Sequence, residues 1–242
     1  MKWRELDLGP IERFRQYESK KLFSYMGGYD LNKTKIVCFD MDGTLITNTN
    51  SVEYLCFLSG KADEVRDVEK REEKDEISWI EADYIKAKLF TGLEVKRVEE
   101  EFEKHIVLIN NVEKVINELK NNGILVILVT AGPVQVADIL GKMFKFDKIY
   151  GSIYDVENGI FTGKILNHLG DSGKLESLES FCNENDIKLE DVISIGDSAS
   201  DIKIFEKSGK SIALNYSNKL FGRADVYINT NDLFDIMKHI LE

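Results

Sequence analysis

Two aspartates two positions apart, Asp40 and Asp42, close the apolar run Lys35-Ile36-Val37-Cys38-Phe39 and are followed by Gly43-Thr44-Leu45. A bare D-x-D has little specificity: it occurs by chance, in simple loops and at metal-dependent glycosyltransferase sites. At the carboxyl end of a strand in a parallel α/β sheet, where ligands bind, the pair says more. Gly43 permits an abrupt turn, and Thr44 offers a hydroxyl and an amide to an anion. Three later segments carry complementary groups. Thr130-Ala131-Gly132 follows a second apolar run with a hydroxyl and free amides just ahead of a helix N-terminus, where anions are favoured. Lys174 opens a helical pattern after Asp171-Ser172-Gly173, and Gly196-Asp197-Ser198-Ala199-Ser200-Asp201 sets one carboxylate at the tip of another run and a second four residues on. Taken singly, Lys174 reads as a surface lysine, Thr130 as a helix cap and Asp197 with Asp201 as turn chemistry. In this order on successive strand ends, they are the parts that phosphoryl transfer needs.

Charge counting leads to a metal. Asp40, Asp42, Asp197 and Asp201 bring four negative charges to one pocket and Lys174 returns one positive charge, so a phosphomonoester dianion would be repelled. Two carboxylates about 4 Å apart already repel by roughly 4 kcal/mol at an effective dielectric near 20. A divalent cation is therefore required, and oxygen-only ligands favour Mg²⁺ over zinc, which would want His or Cys. None of His105, His168 or His239 lies in these segments, and all three read as surface or packing residues.

The elements that must position these groups follow from periodicity. From residue 35 onward short apolar runs alternate with longer helical patterns, the signature of a Rossmann-like, doubly wound parallel α/β sheet. Strands are expected at 35–39, 124–129, 147–150, 192–195 and 211–214, with a short edge strand at 225–228. The second strand should end at Thr130, and Pro133 should take the first position of a helix running to Phe144. Asn158-Gly159 marks a β-hairpin over 151–166, a small decoration on the core.

Roughly 80 residues separate the first two core strands, far more than a normal crossover, and nearly all are helical in pattern. Residues 48–110 are thus expected to form a helical cap inserted into a core made of 35–47 and 111–242. Within the insertion, 61–76 is almost wholly charged, with Ala62, Val65 and Val68 as its apolar residues, which reads as a solvated helix with one thin apolar stripe. In 77–90, Ile77, Ile80, Tyr84 and Ala87 form one stripe, and Ala82, Ile85 and Leu89 another. Residues 1–34 read as a helical extension.

Composition narrows the function classes. The 242 residues carry 32 Lys and Arg against 43 Asp and Glu, a net charge of −11, which argues against nucleic-acid or anionic-membrane partners. The longest charge-free stretch falls short of the roughly 20 apolar residues of a spanning helix, and residues 1–7 lack the apolar segment of a secretory signal. A cytoplasmic location is expected. Cys38, Cys56 and Cys182 are odd in number and far apart, so they read as buried apolar residues rather than disulfide or zinc partners.

With these motifs in place, the chain from about residue 34 to 242 resembles the haloacid dehalogenase superfamily, in its phosphoserine phosphatase-like branch with a helical cap. The resemblance implies Asp40 as nucleophile and Asp42 as general acid/base. It implies phosphate contacts from Asp42, Gly43, Thr44, Thr130, Ala131, Gly132 and Lys174. It also implies Mg²⁺ held by Asp40, Asp197 and the backbone carbonyl of Asp42, with Asp201 supporting the metal's waters or the lysine. The expected activity is hydrolysis of a small phosphomonoester through an aspartyl-phosphate. Phosphoserine phosphatase itself, a phosphomutase or phosphotransferase on the same intermediate, and a non-catalytic partner-binding protein on this fold are the alternatives. A receiver-type signalling domain fits less well, because its acidic pair precedes the acceptor strand. Two positions depart from phosphoserine phosphatases proper: Thr49 stands near the place of an acidic residue that meets the substrate amine, and Lys86, with Lys88 also near, stands in place of an arginine for its carboxylate. Lysine loses the bidentate grip, and Glu53 could restore the missing negative charge if the cap is shifted.

Overall fold

The computed structural model describes residues 34–170 and 172–241; the expected extension over 1–34, but for Thr34, and Asp171 lie outside them. The strands are β1 (Ile36–Phe39), β2 (Leu125–Pro133), β3 (Lys148–Glu157), β4 (Ile160–Asn167), β5 (Val192–Gly196), β6 (Lys210–Leu214) and β7 (Val226–Ile228). The helices are α1 (Ser51–Leu58), α2 (Ala62–Glu73), α3 (Trp79–Leu89), α4 (Val95–His105), α5 (Val112–Asn121), α6 (Val134–Phe144), α7 (Gly173–Glu184) and α8 (Ile202–Phe205). One seven-stranded sheet has the order β4-β3-β2-β1-β5-β6-β7. Every neighbouring pair is parallel except β3 and β4.

β1 is buried along its whole length, as a central parallel strand covered on both faces must be. Val37 and Phe39 join the larger apolar cluster with Val115, Ile116 and Leu119 of α5, while Ile36 and Cys38 join Leu178, Phe181 and Cys182 of α7 on the other side. Register then decides what meets at the strand ends. Phe39 lies opposite both Leu128 and Ile195, so Asp40, the Thr130 segment and Asp197 leave the sheet side by side. The three cysteines are free and buried.

Two sequence expectations need correction. β2 does not end at Thr130: it continues to Pro133, which is extended (φ −62°, ψ 128°) and caps α6 instead of starting it. The cause is a register shift after Val129, beyond which Pro133 pairs with Ser152. The hairpin is no mere decoration. Asn158 and Gly159 turn it with positive φ, as a two-residue hairpin requires, but its far end hydrogen-bonds the inserted helical segment through Gly92 to Phe161, Phe161 to Leu93 and Val95 to Gly159. Phe161 also meets Phe90 edge to face at 5.3 Å. Of the two stripes read in 77–90, neither is buried as a whole: Ala87 and Ala82 are fully buried while Tyr84 is 44% exposed. The inward residues are Ala82, Lys86 and Ala87, two small side chains and a lysine whose charge is met by neighbouring carboxylates.

Between β1 and α5 the chain forms α1 to α4. Asn50 caps α1 by accepting the Glu53 amide, and Ser78 with Glu81 forms a reciprocal capping box at α3. α2 buries only Val65 and Val68 among its charges.

Candidate active site

The lysine is the centre of the geometry. Lys174, the second residue of α7, is 2% exposed, and its ammonium donates to Asp40 Oδ1 at 2.7 Å, Asp201 Oδ1 at 2.6 Å and Ser200 Oγ at 3.1 Å. Three acceptors match the three protons an ammonium offers. Burial works against its charge, but Asp201 and Asp40 outweigh that and hold its pKa above the ordinary lysine value. Asp201 Oδ2 accepts the backbone amides of Asp197 and Ser198, each at 3.1 Å. Both oxygens of Asp201 are thus engaged, and its contact is with the lysine and the loop.

Asp40, Asp197 and Asp201 present carboxylate oxygens within 4.8 Å of one another. Burial, then the charges of Asp40 and Asp201, push the Asp197 carboxyl up to about 9; burial also raises Asp40 to about 6, against the pull of Lys174. A buried, oxygen-only cluster that resists ionisation in this way suits a hard divalent cation. Gly43 lets Asp197 come so close: its φ is +82°, and a β-carbon there would overlap the Asp197 carboxylate. Thr44 Oγ1 stands 3.5 Å from Asp197 Oδ1.

Asp42 is held by a residue that the sequence reading missed. Ser51, the first residue of α1, donates its amide to Asp42 Oδ1 at 2.8 Å and its hydroxyl to Oδ2 at 2.5 Å. Burial raises the Asp42 carboxyl to about 7 in spite of the Ser51 hydroxyl, which suits a group that must give and take a proton near neutrality. Asn50 in front of Ser51 is a helix-start signal, but nothing in the sequence says that this helix end points back at Asp42. Gly132 closes on the same place, since a β-carbon there would meet Ser51 Oγ and Asp42 Oδ2. Thr130 is buried, and its hydroxyl accepts the Gly132 amide at 2.9 Å, so that amide is already engaged. The Ala131 carbonyl accepts Ser152 Oγ.

We expect Ser51→Ala to lower kcat by about 10- to 100-fold with little change in KM, since hydrogen bonds to charged groups contribute about 1.5–3 kcal/mol. Steady-state kinetics with unaltered kcat would show that Asp42 needs no such support.

The three specificity candidates gather elsewhere. Thr49 Oγ1 donates to Glu53 Oε2 at 3.1 Å, and buried Lys86 lies 3.7 Å from Glu69 and 3.9 Å from Glu72. Burial raises Glu69 to about 7, with Glu53 adding to the effect. Burial alone would raise Glu53 too, but its hydrogen bond with Glu69 and the charge of Lys86 hold it below the ordinary value. Thr49 and Glu53 line a cavity of about 370 Å³ with Asn48, Tyr54, Phe57 and His105; neither Asp40 nor Asp42 lines it.

A parallel sheet whose strand ends gather these carboxylates around one lysine defines a hydrolase of the phosphoryl-transfer class. The chain belongs to the haloacid dehalogenase-like hydrolase family, whose profile matches residues 37–206. The phosphoserine phosphatase of Methanocaldococcus jannaschii is 29% identical over 209 residues, 86% of this chain and 98% of that one. That of Archaeoglobus fulgidus is 30% identical over 200 residues, 82% of this chain and 58% of the other. Among solved structures, a substrate-bound phosphoserine phosphatase complex superposes with a TM-score of 0.76 at 28% identity, covering 86% of this chain and 99% of that one. A phospho-aspartyl intermediate analogue of phosphoserine phosphatase gives 0.75 at 28% identity, over 86% and 99% of the two chains. Within its family the protein is a phosphatase of the phosphoserine phosphatase-like branch. No helix among the described residues is long and apolar enough to cross a membrane.

Proposed function

We propose that the protein is a Mg²⁺-dependent phosphatase of small phosphomonoesters that works through an aspartyl-phosphate on Asp40. The observation that carries this reading is the buried ammonium of Lys174 bound to both Asp40 and Asp201, with Asp197 alongside. Asp40 and Asp197 would hold the metal together with the Asp42 carbonyl, while Asp201 keeps the lysine and the Asp197 loop in place. Bound there, the cation neutralises the carboxylates and the phosphate and polarises the phosphoryl group.

The remaining chemistry belongs to the chain. A carboxylate oxygen of Asp40 attacks phosphorus in line as the bond to the ester oxygen breaks. Asp42 gives its proton to that departing oxygen, and the alcohol leaves. Asp42, now a carboxylate, takes a proton from water as the water oxygen attacks phosphorus; the Asp40–phosphorus bond breaks and inorganic phosphate is released. Acid/base help of this kind is worth typically 10²–10⁴ in rate. Lys174 compensates the charge on Asp40 and the phosphoryl oxygens. Thr130, Thr44 and the Ala131 amide surround the equatorial oxygens, where transition-state charge gathers; the expected amides of Gly132 and Gly43 are instead donated to the Thr130 hydroxyl and the Ile46 carbonyl. Residues 48–110 act as the cap that shields the intermediate from premature water and admits it for the second step.

The test is release of inorganic phosphate from a panel of small phosphomonoesters, phosphoserine included, with Mg²⁺ and with EDTA. Release that EDTA lowers by at least 100-fold and Mg²⁺ restores is the expected result. Release unaffected by EDTA would remove the metal, and no release from folded, Mg²⁺-saturated protein would remove the phosphatase reading.

A further inference from the structure

His168 is a buried ionisable residue that the chemistry above does not use. It lies just past β4, and its side chain is 5% exposed. Its Nδ1 accepts the Gly170 amide at 2.8 Å, so the ring proton sits on Nε2 and is donated to Asp83 Oδ2 at 2.9 Å. Asp83 belongs to α3. The same helix supplies Trp79, whose ring centroid is 5.4 Å from that of the imidazole, and Tyr84, stacked on it at 5.8 Å. Residues four apart share a helix face, and 79, 83 and 84 together form a socket around a ring that comes from outside the inserted helices. Among the described residues no other side chain is hydrogen-bonded to or ion-paired with the Asp83 carboxylate.

The short loop that carries His168 is tied on its other side to the candidate active site. The Leu169 amide donates to Ser152 Oγ at 2.9 Å, and that hydroxyl donates to the Ala131 carbonyl at 2.6 Å, between Thr130 and Gly132. The Gly170 carbonyl accepts the amide of Gly173, the residue before Lys174, at 3.3 Å. Gly170 itself has no room for a side chain: a β-carbon there would come within 2.6 Å of His168 Nδ1 and 2.8 Å of Trp79. Three consecutive residues therefore join α3, the Thr130 segment and the start of the lysine helix. Asp40 and Thr130 are 5% and 1% exposed, so the tie is made with the site shut from solvent.

We infer that His168 is a positioning residue: its bond to Asp83 holds the inserted helices closed over the bound ester, and its bond to Gly170 keeps the loop ahead of Lys174 in step with them. This rests on the phosphatase reading above and deepens it by assigning the closing contact. A substrate that is fully held only in the closed arrangement binds as tightly as closure is favourable. Losing a hydrogen bond to a charged group shifts such an equilibrium by about tenfold or more. While the closed complex stays the majority species, the shift raises KM and leaves kcat alone, because the chemical step still starts from that complex. A contact that only stabilised the fold would do the reverse, lowering the apparent kcat through fewer folded molecules and leaving KM unmoved.

The experiment measures kcat and KM separately for p-nitrophenyl phosphate and phosphoserine, with Mg²⁺, in the wild type, Asp83→Ala, Asp83→Asn and His168→Phe. Asp83→Ala should raise KM by about tenfold or more on both esters and keep kcat within about threefold of wild type. Asp83→Asn, whose amide oxygen can still accept from Nε2, should bring KM back to within about threefold. His168→Phe keeps a ring in the socket but loses both bonds, so its kcat should fall by about tenfold as well, since the loop before Lys174 is released. An unchanged KM in Asp83→Ala, no recovery in Asp83→Asn, or a wild-type kcat in His168→Phe would overturn the inference while wild-type turnover still upholds the phosphatase. So would a rise in KM confined to phosphoserine, which would make Asp83 a contact of the substrate's amine. Failure of the wild type on both esters would remove both readings.

Discussion

Asp40→Asn is expected to abolish steady-state turnover, by a factor of about 10⁴ or more, and to leave the fold in place. The size follows from the proposed role: removing a covalent nucleophile takes away the pathway rather than one contact to the transition state, and such losses are among the largest single-residue effects. The fold should survive because the amide is nearly isosteric. Its carbonyl oxygen can still accept from Lys174 Nζ, as Asp40 Oδ1 does at 2.7 Å, and one of three mutually repelling carboxylates is removed. Phosphate release and denaturant unfolding on the same preparation check both halves. Appreciable residual turnover in a folded variant would refute Asp40 as nucleophile.

Lys174→Met has the second large effect, and this one falls on stability as well as rate. The ammonium is the cation shared by Asp40 and Asp201, and its side chain is as buried as theirs. Deleting one partner of a buried ion pair leaves uncompensated charge and typically costs about 3–5 kcal/mol. Methionine fills much of the lysine volume, so the loss would report charge and hydrogen bonding more than a cavity. Urea unfolding without metal should show a deficit of that order, and Mg²⁺ should recover part of it by supplying positive charge to the same carboxylates. Activity should fall by at least 10³-fold. A variant within about 0.5 kcal/mol of wild type in EDTA would mean that the carboxylates take up protons at no cost and that the lysine is not what holds them together.

Much of the fold was legible because its signals are local. An unbroken apolar run bounded by polar turns can be buried on both faces in a parallel sheet, and β1, β5 and β6 lie within a residue or so of their expected spans. Asn158-Gly159 makes its turn because both positions must accept positive φ. The end of β2 was misread because the decisive partner is distant: Pro133 stays extended through its pairing with Ser152 on β3. That Tyr84 faces outward while Ala82 is buried was not legible, because helical periodicity says which residues share a face and not which face meets a neighbour.

The same division runs through the site. Residue type and order by themselves determined that carboxylates and a hydroxyl stand at the ends of successive strands and a lysine at the start of a helix, since a parallel sheet delivers its strand ends to one edge whatever the intervening loops do. Only the tertiary structure decided which groups touch. It set Lys174 between Asp40 and Asp201, brought Ser51 back onto Asp42, and drew Thr49, Glu53 and Lys86 into a network among the inserted helices. Hydrogen bonds and ion pairs act over a few ångströms, and partners here lie 134 residues apart for Lys174 and Asp40 and 153 for Thr44 and Asp197. No spacing along the chain encodes them until the sheet has closed.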